Sequence, residues 1–269
     1  MKFKKLFVTG ALGALGVRIL PALKREISLD LTDLREGSLD GEVPVSSLDL
    51  LDFDRLVESM KGCDSVLHLA IASVRDFIDN SDPTMPIRLT QDMTDAETDR
   101  FHRATLDVNV TGVYNLFEAA RLAGVERVIY MSSITTVLGH QDTEILARPG
   151  IIPKPFDFYA VTKLFGEHLG ELYHRKYGLN VISLRLGQPY PIGNCLDDSY
   201  LSTPGRRMAN AHIEDVISMV RCALTTDVAY GVYYLTSKGE PIAFPLEDST
   251  QIGYRPSRIF RESGVEVIS

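Results

Sequence analysis

The 269-residue sequence predicts an α/β fold, a parallel sheet wound on both faces, and three features carry that prediction. An apolar run, Leu6-Phe7-Val8-Thr9, breaks into Gly10, Gly13 and Gly16 and continues with Val17, Ile19, Leu20 and Leu23 at helical spacing. Strand-like runs then alternate with helical periods over the first two thirds of the chain, the pattern of a parallel sheet covered by helices on both sides. No internal repeat or low-complexity segment interrupts it. A chain this long buries a full core as one large α/β domain, or as one domain with a small appendage.

Taken in order, the opening run reads as a strand, a turn and a helix start. Pro21 predicts a kink or an early end of that helix, because proline removes one hydrogen bond and crowds the turn before it. Ile27 to Leu34 alternates as a second strand closing on Asp33, Phe53 to Met60 is a short helix, and Ser65 to Ala70 is the next strand. His68 inside that apolar strand reads as a packed core histidine. Ile71 to Arg100, with Pro83, Pro86 and many aspartates, reads as a long loop of the lid or ligand-binding kind. Ser73 stands where ligand-facing residues of an open parallel sheet belong. Helical period returns from Phe101 to Ala123, a strand follows from Glu126 to Ser132, and Gly150, Pro153 and Pro155 mark a loop before the helix Asp157 to Tyr177. Asn180 to Arg185 is strand-like. Beyond Gly187 the pattern loosens into proline and glycine turns, a helix from Glu214 to Thr225 and a strand from Val232 to Leu235.

The glycine turn carries the first chemistry. A pyrophosphate approaches closely only where the backbone has no Cβ, and the free N–H groups at the start of a helix favour its charge. Gly10 and Gly13 supply the approach and Gly16 the close packing of helix on sheet. The spacing differs by one residue from Gly-x-Gly-x-x-Gly, so the context decides, and strand, turn, helix and a following acid are all present. Asp33, about 20 residues on, is placed to accept the hydroxyls of an adenosine ribose and to repel a 2′-phosphate, which favours NAD over NADP. Arg35 is the residue that would hold a phosphate instead. Asp49 precedes the next helix at a position suited to adenine. Residues 1–187 are therefore expected to form a Rossmann-type NAD-binding domain, and residues 188–269 a small C-terminal substrate-binding lobe interleaved with it.

The second chemistry is Tyr159-Ala160-Val161-Thr162-Lys163, which puts a phenol and an ammonium one helical turn apart on one face. A free tyrosine titrates at about 10, and neighbouring positive charge, here Lys163 together with an oxidised nicotinamide ring, stabilises the phenolate and brings it toward the working range of a general base. Upstream, Ser132-Ser133-Ile134-Thr135-Thr136 ends a strand in hydroxyls, one of which can hold a substrate oxygen against Tyr159. The spacing alone also occurs on ordinary amphipathic helices. In series with the glycine turn and Asp33 it points to catalysis.

At this point the chain resembles the extended short-chain dehydrogenases/reductases, the NAD-dependent epimerase/dehydratase family. The resemblance runs through Thr9-Gly10-x-x-Gly13-x-x-Gly16, Asp33, Asp49-Leu50, His68-Leu69-Ala70, Asn109-x-x-Gly112-x-x-Asn115-Leu116, Ser132-Ser133, Tyr159-x-x-x-Lys163 and Arg185-x-x-x-Pro189-Tyr190. It implies that Tyr159 is the general base, that Lys163 binds the nicotinamide ribose and lowers the tyrosine pKa, that Ser133 anchors the substrate, and that Asn109 supports the site. It adds Ala11, Leu12, Leu34, Leu50, Leu69, Ala70 and Gln188 to the NAD contacts, and it implies a homodimer formed through the helices Phe101 to Ala123 and Asp157 to Tyr177. Within the family, the length and the tail from Leu201-Ser202-Thr203 through His212-x-x-Asp215 to Gly253-Tyr254-Arg255-Pro256 are most similar to members that oxidise C1 of a cyclic uronic acid to a lactone. That likeness places Ser73 and Thr135 beside the substrate. The chain departs from those members at Ile134-Thr135 and at Ser199-Tyr200, where they carry an arginine for the substrate carboxylate, and Arg206 is the expected substitute. Thr135 remains the alternative to Ser133 as the catalytic hydroxyl.

Composition narrows the partners. A formal charge of −8 provides no basic surface for nucleic acid or anionic membrane. No run approaches the roughly 20 apolar residues of a spanning helix, and Met1-Lys2-Phe3-Lys4-Lys5 leads straight into a strand, so a cytoplasmic location is expected. Cys63, Cys195 and Cys222 lack metal-ligand or disulfide spacing, and no metal is expected. The expected activity is NAD-dependent oxidation of a hydroxyl on a small sugar or sugar acid. A sugar or nucleotide-sugar epimerase or dehydratase with transient NAD reduction, and a non-catalytic dinucleotide-binding regulator, are the alternatives.

Overall fold

Strand β1 (Lys5–Thr9) shows the rule on which the sheet is built: Leu6 and Val8 enter the core on one face and Phe7 the core on the other. The computed structural model describes residues 3–72, 93–140, 148, 150–191, 209–240, 244–261 and 263–268. Along it run α1 (Gly16–Leu23), β2 (Ser28–Asp33), β3 (Gly37–Leu39), β4 (Val43–Ser47), α2 (Phe53–Met60), β5 (Ser65–His68), α3 (Asp95–Leu106), α4 (Gly112–Leu122), β6 (Arg127–Ser133), α5 (Phe158–Tyr177) and β7 (Asn180–Leu186). They are followed by β8 (Gln188–Tyr190), β9 (Asn210–His212), α6 (Ile213–Thr225), β10 (Tyr230–Leu235), β11 (Lys238–Gly239), β12 (Arg258–Arg261) and β13 (Gly264–Val267).

Eight strands form the main sheet in the order β10-β7-β6-β5-β1-β2-β4-β3. Every pair is parallel except β3 with β4 at the edge. Helices α1 and α6 cover one face, where Ile19, Leu20 and Leu23 meet Val216, Met219 and Val220 over Leu6, Val8 and Ile129. Helices α2, α4 and α5 cover the other, where Leu56, Leu116, Phe117 and Leu169 pack on Phe7, Val66, Val128 and Val181. Both sides of each central strand are therefore apolar, the doubly wound arrangement expected.

Several differences from the sequence expectation have physical causes. Residues 37–47 form a hairpin that the apolar pattern alone does not announce. Asp40 and Gly41 both take positive φ, 51° and 71°, the geometry of a type I′ turn that Asp-Gly favours. Helix α3 begins at Asp95, inside the expected loop, because Thr94 and Glu97 form a reciprocal capping box. Residues 73–92 lie outside the described part. The expected single helix from Phe101 to Ala123 is interrupted by a π-helical turn at Asp107–Thr111, and Pro21 coincides with the early end of α1 at Leu23.

The tail is divided between two places. Helix α6 and strand β10 complete the main sheet, while β8 pairs with β9 and β11–β13 form a separate three-stranded sheet. Asp215, in the first turn of α6 and fully buried, joins these parts by accepting from the Ser257 backbone N–H at 2.6 Å and the Ser257 hydroxyl at 2.8 Å. At the other end of α6, the buried Arg127 donates to the carbonyls of Ala223, Thr226 and Val228 at 2.7, 2.8 and 2.9 Å. A helix C-terminus leaves carbonyls without partners, and this guanidinium occupies them. Among the described residues, no helix is long and apolar enough to cross a membrane and no side-chain group is arranged to hold a metal ion.

Candidate active site

Strand order reverses beside β1: the chain moves outward from β1 to β2, then returns to β5 on its other side. In open α/β sheets this switch point, at the carboxyl ends of the strands, leaves a crevice for ligands. The glycine turn lies there. Gly10 has φ 73°, and a Cβ on it would stand 2.6 Å from the Ala70 backbone nitrogen; a Cβ on Gly16 would stand 2.4 Å from the Ala11 carbonyl oxygen. Both glycines are thus required by the chain's own packing, whereas a Cβ on Gly13 would meet only the Gly10 carbonyl, at 3.1 Å. Gly16 lets the helix start lie close on the Gly10-Ala11 turn rather than on a strand, and Gly10 serves the close pass of Leu69-Ala70.

Asp33 ends β2 with its carboxylate turned to the same turn. It accepts the Leu12 N–H at 3.0 Å, while Ala11 N–H donates to the Thr32 carbonyl at 3.0 Å, so turn and strand end are tied together. Arg35 lies beside it, its Nε 3.5 Å from Asp33 Oδ1. Leu34 is 70 % exposed and Asp49 is exposed, while Leu50 is buried against Gly112 with its carbonyl held by Asn115 Nδ2 at 2.9 Å. An exposed leucine beside a carboxylate at a strand end suits an adenosine: a flat apolar base on one side and ribose hydroxyls on the other. Gln188, half-buried on β8, opposes Asn210 on β9. The residues present therefore fit a dinucleotide, with Asp33 and the turn at its adenosine end.

Asp157 caps α5 by accepting the Ala160 N–H at 2.8 Å, which starts the helix immediately before Tyr159. Tyr159 is half-buried, and Lys163 Nζ lies 5.6 Å from its ring centre. Lys163 is buried and donates to the Met131 carbonyl at 2.8 Å. Burial pushes its pKa down to about 7, against the opposing pull of the Glu167 carboxylate. Burial also raises the Tyr159 pKa, reinforced by Asp157.

Ser133 and Thr135 are in direct contact: the Thr135 hydroxyl donates to Ser133 Oγ at 2.9 Å and the Thr135 N–H donates to the same oxygen at 3.2 Å. Asn109 stands on the π-helical turn, buried, donating to Thr162 Oγ1 at 3.1 Å and accepting the Ala72 N–H at 3.4 Å. It thus links the end of β5 to the helix that bears Tyr159. Ser73 and Arg206 lie outside the described residues.

Other groups emerge only from the packing. His68 is fully buried as expected, with Nδ1 2.7 Å from Thr9 Oγ1 and its ring stacked 5.7 Å from Tyr130; burial and the nearby Lys163 hold its pKa down near 3. Beneath Lys163, Glu167 accepts from Ser132 Oγ at 2.6 Å and from Arg185 Nε and NH2 at 2.9 and 2.8 Å. The signal for Glu167 was the four-residue spacing that already joins Tyr159 to Lys163, continued by one more turn.

A family model described as NAD dependent epimerase/dehydratase family matches residues 71–217. A uronate dehydrogenase of Pseudomonas syringae pv. tomato is 27% identical over 269 residues, covering 96% of this chain and 85% of that protein. An L-arabinose 1-dehydrogenase (NAD(P)(+)) of Haloferax volcanii is 31% identical over 194 residues, 68% of this chain and 66% of that one. The crystal structure of uronate dehydrogenase from Agrobacterium tumefaciens superposes with a TM-score of 0.74 at 25% identity, covering 96% of this chain and 86% of the other. Match, fold and ordered motifs agree, and the chain belongs to the NAD dependent epimerase/dehydratase family.

Proposed function

We propose that the protein is an NAD-dependent dehydrogenase that oxidises a CH–OH group of a small sugar or sugar acid, with a cyclic uronic acid oxidised at C1 to its lactone as the leading candidate. The observation that carries this reading is the half-buried phenol of Tyr159 on the same helix face as the buried Lys163, at the sheet end that also bears Ser133, Thr135 and the glycine turn. The names of the relatives, uronate dehydrogenase and L-arabinose 1-dehydrogenase, support the substrate class.

On this reading the Ser133–Thr135 hydroxyl pair orients the substrate oxygen, and Tyr159, as its phenolate, takes the hydroxyl proton. Lys163 in its charged form stabilises that phenolate, and Asn109 holds the helix turn against the end of β5. NAD, when bound, would supply the hydride acceptor; Gly10 to Gly13 would hold its pyrophosphate, Asp33, Leu34, Asp49 and Leu50 its adenosine, and Leu69, Ala70, Lys163 and Gln188 its nicotinamide end. Ser73 and Arg206 are the proposed contacts for the rest of the sugar, and the tail from residue 188 contributes the substrate lobe. The test is incubation with NAD and a panel of uronic acids, aldoses and sugar lactones. One NADH per sugar consumed is expected with a uronic acid, and far less with NADP. An isomerised sugar with no net NADH identifies an epimerase instead.

The proposal extends to a cytoplasmic homodimer joined through α4 and α5. Tyr114, Val161 and Leu172 are exposed apolar side chains on those two helices, and both free cysteines among the described residues suit a reducing compartment. Light scattering is expected to return twice the chain mass of 29.9 kDa, and a monomer at micromolar concentration overturns this part.

A further inference from the structure

The Tyr159–Lys163 helix face continues for one more turn, and at its end stands a buried carboxylate that the proton transfer above does not use. Glu167 is 4 % exposed and makes three hydrogen bonds from two strands: Ser132 Oγ on β6 at 2.6 Å, and Arg185 Nε and NH2 on β7 at 2.9 and 2.8 Å. Arg185 in turn reaches Tyr234 Oη on the edge strand β10 at 3.3 Å. The neighbouring residue of β6, Met131, gives its carbonyl to Lys163. Successive residues at the end of one strand thus hold the lysine and the carboxylate that follows it on the helix.

We propose that Glu167 is a positioning residue of the active site: clamped by Ser132 and Arg185, it fixes the turn of α5 that carries Lys163 and places a carboxylate one helical turn beyond this buried ammonium. The groups that face Lys163 make the assignment specific. From α5 they are Tyr159 and Glu167, from β6 the Tyr130 ring at 5.1 Å, and from β5 His68, which is neutral at any working pH. Tyr130 is pushed well above its ordinary range by burial and carries no charge either. Glu167 is left as the anion whose field opposes the desolvation of Lys163. Arg185 forms two parallel hydrogen bonds to the carboxylate, and that geometry fixes the direction of Glu167 as well as neutralising it in part. A glutamine at 167 would keep the shape and lose the field.

This inference rests on Tyr159 and Lys163 being the proton-transfer pair of the proposed dehydrogenase, and its experiment separates the two. In protein labelled with ¹³C at lysine Cε, the Lys163 resonance is assigned by its loss in Lys163→Met and titrated without substrate. In Glu167→Gln its midpoint is expected to fall by about one pH unit or more from the wild-type value, a shift of the size one close charge exerts. Glu167→Asp, which keeps the charge, is expected to recover most of the shift. Should Glu167→Gln not fold because Arg185 is left unpaired, Glu167→Gln with Arg185→Met removes both charges and is expected to show a smaller shift in the same downward direction, since the carboxylate follows Lys163 by one helical turn and the guanidinium stands behind it. A Lys163 midpoint unchanged in whichever of these variants folds overturns the proposal, even where sugar oxidation itself is confirmed. Failure of every sugar to yield NADH leaves the lysine titration readable and overturns only the substrate reading.

Discussion

Replacing Tyr159 with phenylalanine is expected to lower turnover by about 10³-fold while leaving NAD affinity within about twofold of wild type, the scale general acid–base catalysis contributes. The substitution removes one oxygen from a half-buried ring and leaves the helix cap at Asp157, the Lys163 bond to Met131 and the glycine turn untouched. Since those groups hold the dinucleotide on the present reading, binding and chemistry separate in this variant. NAD affinity is read by fluorescence titration and turnover by NADH absorbance. A variant that keeps wild-type kcat removes the phenol from the mechanism, and one that loses NAD binding as well places Tyr159 in cofactor binding instead. The raised Tyr159 pKa adds a direction: the rate climbs with pH on its acid side, where deprotonation of the phenol limits it.

The largest stability effect is expected far from the site, at Arg127. Its guanidinium satisfies three carbonyls around the end of α6 and lies over the Phe3 ring at 5.3 Å. Arg127→Met keeps much of the apolar stem but leaves those carbonyls without their donor in a buried place. At 1–3 kcal/mol for each buried group left unpaired, less what water recovers at the helix end, the loss is expected to be about 3–5 kcal/mol. Urea unfolding followed by circular dichroism measures it. A loss under about 1 kcal/mol would mean that water or a backbone shift replaces the guanidinium fully. Arg127 begins β6, the strand that ends in Ser132 and Ser133, so a variant that stays folded is also a test of whether the far end of that strand keeps its geometry.

Arg127 and Glu167 show why parts of the molecule escape a reading of local pattern. An arginine at the start of an apolar strand and a glutamate on an amphipathic helix look like solvated charges, and most are. Here each is buried because its partners arrive from remote parts of the chain, from 223–228 for Arg127 and from β6 and β7 for Glu167. The hairpin at 37–47 is a different case, since Asp40-Gly41 is a local signal and was legible from turn chemistry even though the flanking apolar pattern is short.

What the amino-acid sequence determined by itself was everything set by short-range geometry: the alternating strands, the helix periods, the glycine turn with Asp33 beyond it, and the four-residue spacing that joins Tyr159 to Lys163. Those follow because side-chain period and backbone freedom are properties of neighbouring residues. Only the tertiary structure decided the electrostatics. That burial raises Tyr159 and lowers Lys163, and that the Thr135 hydroxyl meets Ser133, depend on how much water and which groups the surrounding elements leave beside them, and a desolvated group obeys its surroundings rather than its sequence neighbours.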